Sequence, residues 1–209
     1  MSEPRRVLIG TRNSGKLHEL LPIFSAAGVL VTTPDALGLP ETPEEEHIES
    51  YDTFEENALA KARWFFEVTG VPSVADDSGL AVAALGGRPG VRSKRYSGRL
   101  DLRGQALDDA NNAMLQQELG SHVDRSAHFV CAAAYVDGER ALVSRGETLG
   151  EVTVEPRGEE GFGYDPYFLA AELGRTFGES GRAEKEGVSH RGRAFRALLR
   201  QMRATPWLS

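Results

Sequence analysis

The chain reads as an α/β protein built on a mixed sheet, and three observations predict this. Short apolar runs of strand character, such as Arg6–Thr11 and Ser73–Val82, are interspersed with longer helical segments. Asp137-Gly138 lies between two apolar stretches, Ala127–Val136 and Arg140–Val154, which is a strong hairpin signal. A hairpin pairs strands antiparallel, so strands mixed with helices plus a hairpin imply a sheet that is not purely parallel.

Taken in order, Arg6-Val-Leu-Ile-Gly-Thr11 is a brief buried-strand pattern. Asn13 or Ser14 can cap a helix from about Lys16 towards Ala27, with Gly28 as its stop. Pro22 is expected to kink that helix or cut it short, because it lacks an N–H and its ring clashes with the preceding turn. Pro40–His47, acidic and punctuated by prolines, reads as exposed loop. Thr53-Phe-Glu-Glu56 is a capping box opening a helix through Thr69, which Gly70 and Pro72 end. On it Asn57 and Lys61 share a face, with Trp64 beside them. A solvated surface lysine is the plain alternative for Lys61, although Ala58, Ala60 and Ala62 leave room for close approach. Leu100–Leu119 predicts a polar helix lying mostly at the surface, and about Arg191–Arg203 a final basic helix. No internal repeat, low-complexity tract or long linker interrupts the chain, so one domain over residues 1–209 is the economical organisation.

A chain of 209 residues supports one sizeable α/β core or two small lobes. The formal net charge of −7 argues against nonspecific nucleic-acid binding, which needs a basic footprint. An anionic ligand must then be met by a local cluster of cations or by a bound metal. Met1-Ser-Glu-Pro-Arg-Arg leads into few apolar residues, so no signal peptide is expected, and no run reaches the length of a membrane span. A cytoplasmic protein with no membrane partner is the expectation. Cys131 has no intrachain partner and reads as a buried, inert thiol, since mid-strand burial raises its pKa.

Three clusters carry chemistry. The first is Asp76-Asp77-Ser78-Gly79, at the end of an apolar run. Consecutive strand side chains point to opposite faces, so only one aspartate can face a given pocket. A carboxylate at a strand end beside a sharp glycine turn suits holding a divalent cation or activating water. An ordinary Asx turn is the competing reading.

The second is Gly10-Thr11-Arg12-Asn13-Ser14-Gly15-Lys16, which follows a strand and opens a helix. Its spacing satisfies Gly-x-x-x-x-Gly-Lys, but Leu17 stands where a P-loop needs Ser or Thr, so a true P-loop NTPase fits poorly. Backbone amides at such a turn, with Thr11, Asn13 and Lys16, still make a triphosphate cradle. A purely structural turn is the alternative. The third is Gly161-Phe162-Gly163-Tyr164-Asp165-Pro166 together with Lys185, Ser189, His190 and Arg191. Phe162 can stack on a base, and Asp165 is held extended by the following proline. A tight turn with a core aromatic is the alternative. Ser189 can cap the last helix, placing His190 and Arg191 near its electropositive start, where an anion or carbonyl is a fitting partner.

The segments Thr11–Lys16, Thr53–Ala62, Ala75–Gly98, Gly161–Pro166 and Glu184–Ala194 together resemble one family, in the same order and over about Val7 to Arg203. This is the inosine/xanthosine triphosphate pyrophosphatase family, acting on non-canonical purine nucleotides. The resemblance implies a homodimeric, magnesium-dependent α/β enzyme with an elongated mixed sheet flanked by helices and a central substrate cleft between two lobes. It implies hydrolysis of dITP, ITP or XTP to the monophosphate and pyrophosphate, which clears deaminated purines from the nucleotide pool. Carried over by position, Asp77 is general base and Mg2+ ligand, and Ser78 contacts substrate. Residues Thr11, Arg12, Asn13, Ser14, Gly15 and Lys16 bind the triphosphate, and Lys61 helps neutralise it. Phe162, Gly163, Tyr164, Asp165, Lys185, His190 and Arg191 hold the nucleotide.

The family usually has a small residue where Arg12 stands, so an additional guanidinium near phosphate is expected here. The second acidic metal ligand falls in Glu44–Asp52, with Glu49 chosen and Glu46 its competitor. For base selection, an Arg191 donor and an Asp165 acceptor, or equivalent backbone groups, match a 6-oxo purine and leave adenine facing unpaired polar groups. Two rival readings remain open at this level: a pyrophosphatase for pyrimidine or modified nucleotides, and a catalytically silent nucleotide-binding module.

Overall fold

The computed structural model describes residues 6–204, without the side chains of Glu46 and His47. Residues Arg6–Ile9 form β1, and Ser14–Ala26 form α1. Asn13 caps α1 by accepting the Lys16 N–H at 3.0 Å. Pro22 lies inside this helix without ending it, so of the two expected outcomes, a kink or an early stop, the early stop does not occur. The helix is held from elsewhere, by Leu20, Ile23 and Phe24 buried in a core. Leu30–Thr32 form β2, a strand too short to register in the sequence pattern.

Pro43–His47 form a short helix, α2, where the proline-punctuated stretch reads as loop. Proline at the first helical position loses no hydrogen bond and is already set to helical φ, so it starts the helix. Phe54–Thr69 form α3, capped by Thr53 accepting the Glu56 N–H; the Glu56 carboxylate in turn accepts the Thr53 hydroxyl at 2.7 Å.

Ser73–Val82 form β3. The expected strand end and turn at Asp-Asp-Ser-Gly are absent: the strand runs straight through Asp76, Asp77, Ser78 and Gly79. Gly79 is small for a packing reason. A Cβ there would stand 2.3 Å from the Gly90 carbonyl and 2.4 Å from the Ser93 hydroxyl.

Gly104–Leu119 form α4, mostly at the surface as expected, with one buried face of Asn111, Asn112, Leu115 and Leu119. Asn111 accepts the Ser97 N–H and donates to the Lys94 carbonyl, which explains a polar side chain on a buried face. Ser126–Val136 and Ala141–Val152 form the hairpin strands β4 and β5. Their turn is tied by Asp137, which accepts the Arg140 N–H at 2.8 Å. Phe168–Ala170 and Arg175–Thr176 are β6 and β7, Arg182–Val188 is α5, and His190–Ala204 is α6.

The strands make one seven-stranded sheet in the order β2-β1-β3-β4-β5-β6-β7. It is mixed: β1 is parallel to β2 and β3, whereas β5, β6 and β7 run antiparallel. Two compact units draw on it. The first comprises the chain up to Asp77, Cys131–Gly146 and the chain from Arg191 on. Its core joins β1, α1, β4 and α6, with Phe24 set edge-on to Phe195 at 5.8 Å. Ala194, Phe195, Leu198 and Met202 make the apolar stripe of α6. The second comprises Ser78–Val130 and Glu147–His190, with a core around Leu80, Leu115 and Phe129; Phe168 and Phe177 pack on Phe129.

Among the described residues, no helix is long and apolar enough to cross a membrane. Cys131 is fully buried, and burial first, then the Asp76 charge, pushes its thiol well above the usual range.

Candidate active site

In the first unit, β3 carries Asp76 and Asp77 side by side, 1% and 6% exposed. Strand alternation turns them to opposite faces, and each face has its own chemistry. Asp76 Oδ2 lies 3.0 Å from Lys16 Nζ and 3.2 Å from Arg191 Nε, and the Asp76 carbonyl accepts from Lys61 Nζ at 3.0 Å. Arg191 is paired with Glu19, and Lys61 with Glu49.

Burial opposes the Asp76 charge, but Lys16, Arg191 and Lys61 outweigh it and hold the carboxyl well below the usual carboxylate range. Burial likewise opposes the Lys61 ammonium, and Glu49, Asp76 and Asp77 together raise it. Lys61 is thus a largely buried, fixed cation, not a solvated surface lysine.

Asp77 faces the other way, where Asn57 Nδ2 donates to its Oδ2 at 2.9 Å. Burial, and next the negative charge of Glu49, push its carboxyl up to about 6, against the opposing pull of Lys61, Lys16 and Asn57. Asn57 is fully buried and also grips the backbone of Tyr51, accepting its N–H at 2.9 Å and donating to its carbonyl at 3.1 Å. One amide therefore positions both Asp77 and the chain that leads from Glu49 into α3.

The phosphate-loop residues are arranged as a strand-to-helix turn. Thr11 Oγ1 accepts the Asn13 N–H at 3.2 Å, Asn13 caps α1, and Ser14 and Gly15 open the helix that carries Lys16. Arg12, where an additional guanidinium near phosphate was expected, has acidic partners of its own. Its Nε and Nη2 clasp both oxygens of Glu45 at 3.0 and 2.8 Å, its Nη1 reaches Asp35 at 2.8 Å, and Nη2 donates to the Pro40 carbonyl at 3.0 Å. Two carboxylates at that distance satisfy the guanidinium.

In the second unit the Gly161–Asp165 loop is fastened almost atom by atom. Asp165 Oδ2 accepts the Phe162 N–H at 2.8 Å and Lys185 Nζ at 2.6 Å. Gly163 donates to Asp108 at 2.9 Å and its carbonyl accepts from Asn112 at 2.9 Å; Tyr164 donates to the Ser93 carbonyl. Gly161 is obligatory, with φ +81° and a virtual Cβ only 2.1 Å from Asp165 Oδ2. Lys185 Nζ lies 5.1 Å over the Phe162 ring and 5.2 Å over that of Phe177. His190 is buried and stacks on Phe129 at 4.6 Å.

Arg191 and Asp165, the expected base readers, each have partners within the chain. Arg191 Nε donates to the buried Asp76 carboxylate at 3.2 Å, and its Nη1 pairs with the half-buried Glu19. Asp165, 2% exposed, braces Phe162 and Lys185. Glu19, Asn57, Asp76, Asp108 and Asn112 were not among the expected site residues. Helical spacing from Lys16 to Glu19, and Asn57 within the Thr53–Ala62 motif, were the available signals. Ser78 follows Asp77 on β3 and is half-buried.

The carboxylates suit a divalent cation. Around Lys16, Lys61 and Arg191 stand Glu19, Glu49, Asp76 and Asp77, one acid more than there are cations, and Asp77 is the acid whose affinity for a proton is raised. Among the described residues no three of His, Cys, Asp or Glu are grouped so as to enclose a metal by themselves. Asp77 and Glu49 are hard oxygen donors of the kind that can hold a divalent cation. The side chain of Glu46 lies outside the described residues.

A sequence model of the Ham1 family matches residues 7–201. The dITP/XTP pyrophosphatase of Frankia alni is 49% identical over 201 residues, covering 95% of this chain and 97% of that one. That of Ralstonia nicotianae is 45% identical over 202 residues, with 95% and 97% coverage. A HAM1 protein from Coxiella burnetii superposes with a TM-score of 0.82 at 34% identity, over 96% of this chain and 100% of the other. The nucleoside-triphosphatase, or dITP/XTP pyrophosphatase, of Mycobacterium abscessus gives 0.70 at 42% identity, with 93% and 98% coverage. A family model matching residues 7–201 and relatives 45% and 49% identical over nearly the whole length agree: the chain belongs to the Ham1 family.

Proposed function

We propose that the protein is a nucleoside triphosphate pyrophosphatase for deaminated purine nucleotides, dITP, ITP and XTP, releasing the monophosphate and pyrophosphate. The observation that carries this reading is the buried Asp77 carboxyl, raised towards neutrality and oriented by Asn57, in a chain whose relatives bear the name dITP/XTP pyrophosphatase. A magnesium ion held by Asp77 and Glu49, when bound, supplies charge neutralisation and makes the attacking water more acidic.

The chain's own residues do the rest. Asp77 accepts the proton of the water that attacks the α-phosphorus; the bond from that phosphorus to the bridging oxygen breaks, and pyrophosphate leaves with the electron pair. Asn57 keeps the Asp77 carboxylate aimed. Lys16 and Lys61 offset the charge of the phosphates, aided by the amides of Thr11–Lys16. Phe162 offers a stacking face for the base, and Lys185, braced by Asp165, offers a donor suited to a 6-oxo group. With the Gly163 backbone already committed to Asp108 and Asn112, side chains carry base selection. Ser78 and His190 complete the substrate contacts. The same reading takes residues 1–209 as one functional domain, active as a homodimer in the cytoplasm, where the nucleotide pool is.

The test is a panel of dITP, ITP, XTP, dGTP, dATP and dTTP with magnesium, with kcat/KM and both products measured. The reading expects dITP, ITP and XTP to exceed the others by at least about tenfold and pyrophosphate to appear in equal amount with monophosphate. A preference for dTTP, or release of single phosphates, contradicts it.

A further inference from the structure

The stretch between β2 and α3 is held at two points. At one, Arg12 from the phosphate loop clasps Glu45 with two hydrogen bonds and also holds Asp35 and the Pro40 carbonyl. At the other, Lys61 from α3 pairs with Glu49. The Glu45 pair is the stronger arm of the Arg12 clasp, with side chains 19% and 13% exposed; Asp35, 75% exposed, contributes little. Glu45 belongs to α2, and Glu49 lies two residues past its end, so whatever fixes α2 limits where the Glu49 carboxylate can go. A phosphate contact is a poor account of Arg12, because capturing an anion would break a bidentate pair already made.

We infer that Arg12 is a positioning residue, which fastens α2 to the phosphate loop and thereby presents Glu49 to the divalent cation. The inference rests on the reading of Glu49 and Asp77 as the cation's carboxylates. It makes the loop that meets the triphosphate and the segment that meets the cation move as one body.

Binding of Mn2+ to the full-length protein, followed by electron paramagnetic resonance without nucleotide, tests this, with metal-free binding of inorganic pyrophosphate measured in parallel. Arg12→Ala is expected to weaken Mn2+ binding about tenfold and to leave pyrophosphate binding within about twofold. Glu45→Gln is expected to weaken Mn2+ in the same way, and the double variant to be no worse than Arg12→Ala alone. Arg12→Lys keeps the charge but not the two-pronged geometry, so it should not restore Mn2+ affinity. Unchanged Mn2+ binding in Arg12→Ala, or a loss of pyrophosphate binding that Arg12→Lys restores, overturns the inference and leaves the proposed function standing. If the unaltered protein binds no Mn2+, the inference and the assignment of Glu49 and Asp77 fall together.

Discussion

Asn57 Nδ2 stands 2.9 Å from Asp77 Oδ2, while the same side chain grips the backbone of Tyr51 on both its donor and its acceptor. Replacing it by Ala leaves the buried Asp77 carboxylate and the partly buried Tyr51 backbone without those partners. We expect Asn57→Ala to lose about 1–3 kcal/mol of stability in urea unfolding, and to push the Asp77 carboxyl still higher. The acid limb of the pH–rate profile should move to higher pH. An unmoved limb would separate Asn57 from Asp77.

Asp77 links stability to pH in a direction fixed by its shift. An unfolded aspartate titrates near 3.9, and the folded one near 6, so the folded state holds the proton more tightly. In metal-free protein its contribution is therefore full below about pH 4 and lost as pH rises through about 6. Asp77→Asn removes the buried charge. It should gain on the order of 2 kcal/mol over the metal-free parent at pH 7.5 and close to nothing at pH 4, read from denaturant midpoints. A gain of the same size at both pH values contradicts the assignment.

Asp76 has the opposite sign. Its folded carboxyl sits below the unfolded value, so the stability it contributes is present above about pH 4 and is lost as acid protonates it. Asp76→Asn leaves the buried Arg191 and the partly buried Lys16 with their shared anion gone. The expected cost is about 3–5 kcal/mol in equilibrium unfolding at pH 7, shrinking towards pH 3. A cost below 1 kcal/mol at pH 7 would show that Glu19 and Glu49 suffice.

Gly161→Ala drives a methyl into Asp165 and strains a left-handed residue. The brace between Asp165, Phe162 and Lys185 should loosen, raising KM for dITP about tenfold or more with kcat less affected. Equal loss in kcat and kcat/KM would place this loop in the chemical step instead of in nucleotide binding.

The elements legible in the sequence were those with local causes. Asn13 and Thr53 cap helices by short-range hydrogen bonds, Asp137-Gly138 turns a hairpin, and both signals survive any tertiary context. The motif singled out Asp77, which lies buried against Asn57. What remained hidden depends on distant partners. Gly79 resembles a turn residue, yet its size is set by Gly90 and Ser93 packing against the strand. Asn111 and Asn112 look like solvent-facing side chains until the loops they fasten are known. Arg12 has no local signal for Glu45, 33 positions away, and Arg191 none for Asp76, 115 positions away. Strands β6 and β7, three and two residues long, are too short to show a period.

The most direct measurement is single-turnover hydrolysis of dITP with saturating magnesium by Asp77→Asn, once circular dichroism shows the fold intact. Loss of the proton acceptor should slow cleavage at the α-phosphorus by about 10²–10⁴-fold while nucleotide still binds. A rate within about threefold of the unaltered enzyme would contradict the central claim that Asp77 takes the proton from the attacking water.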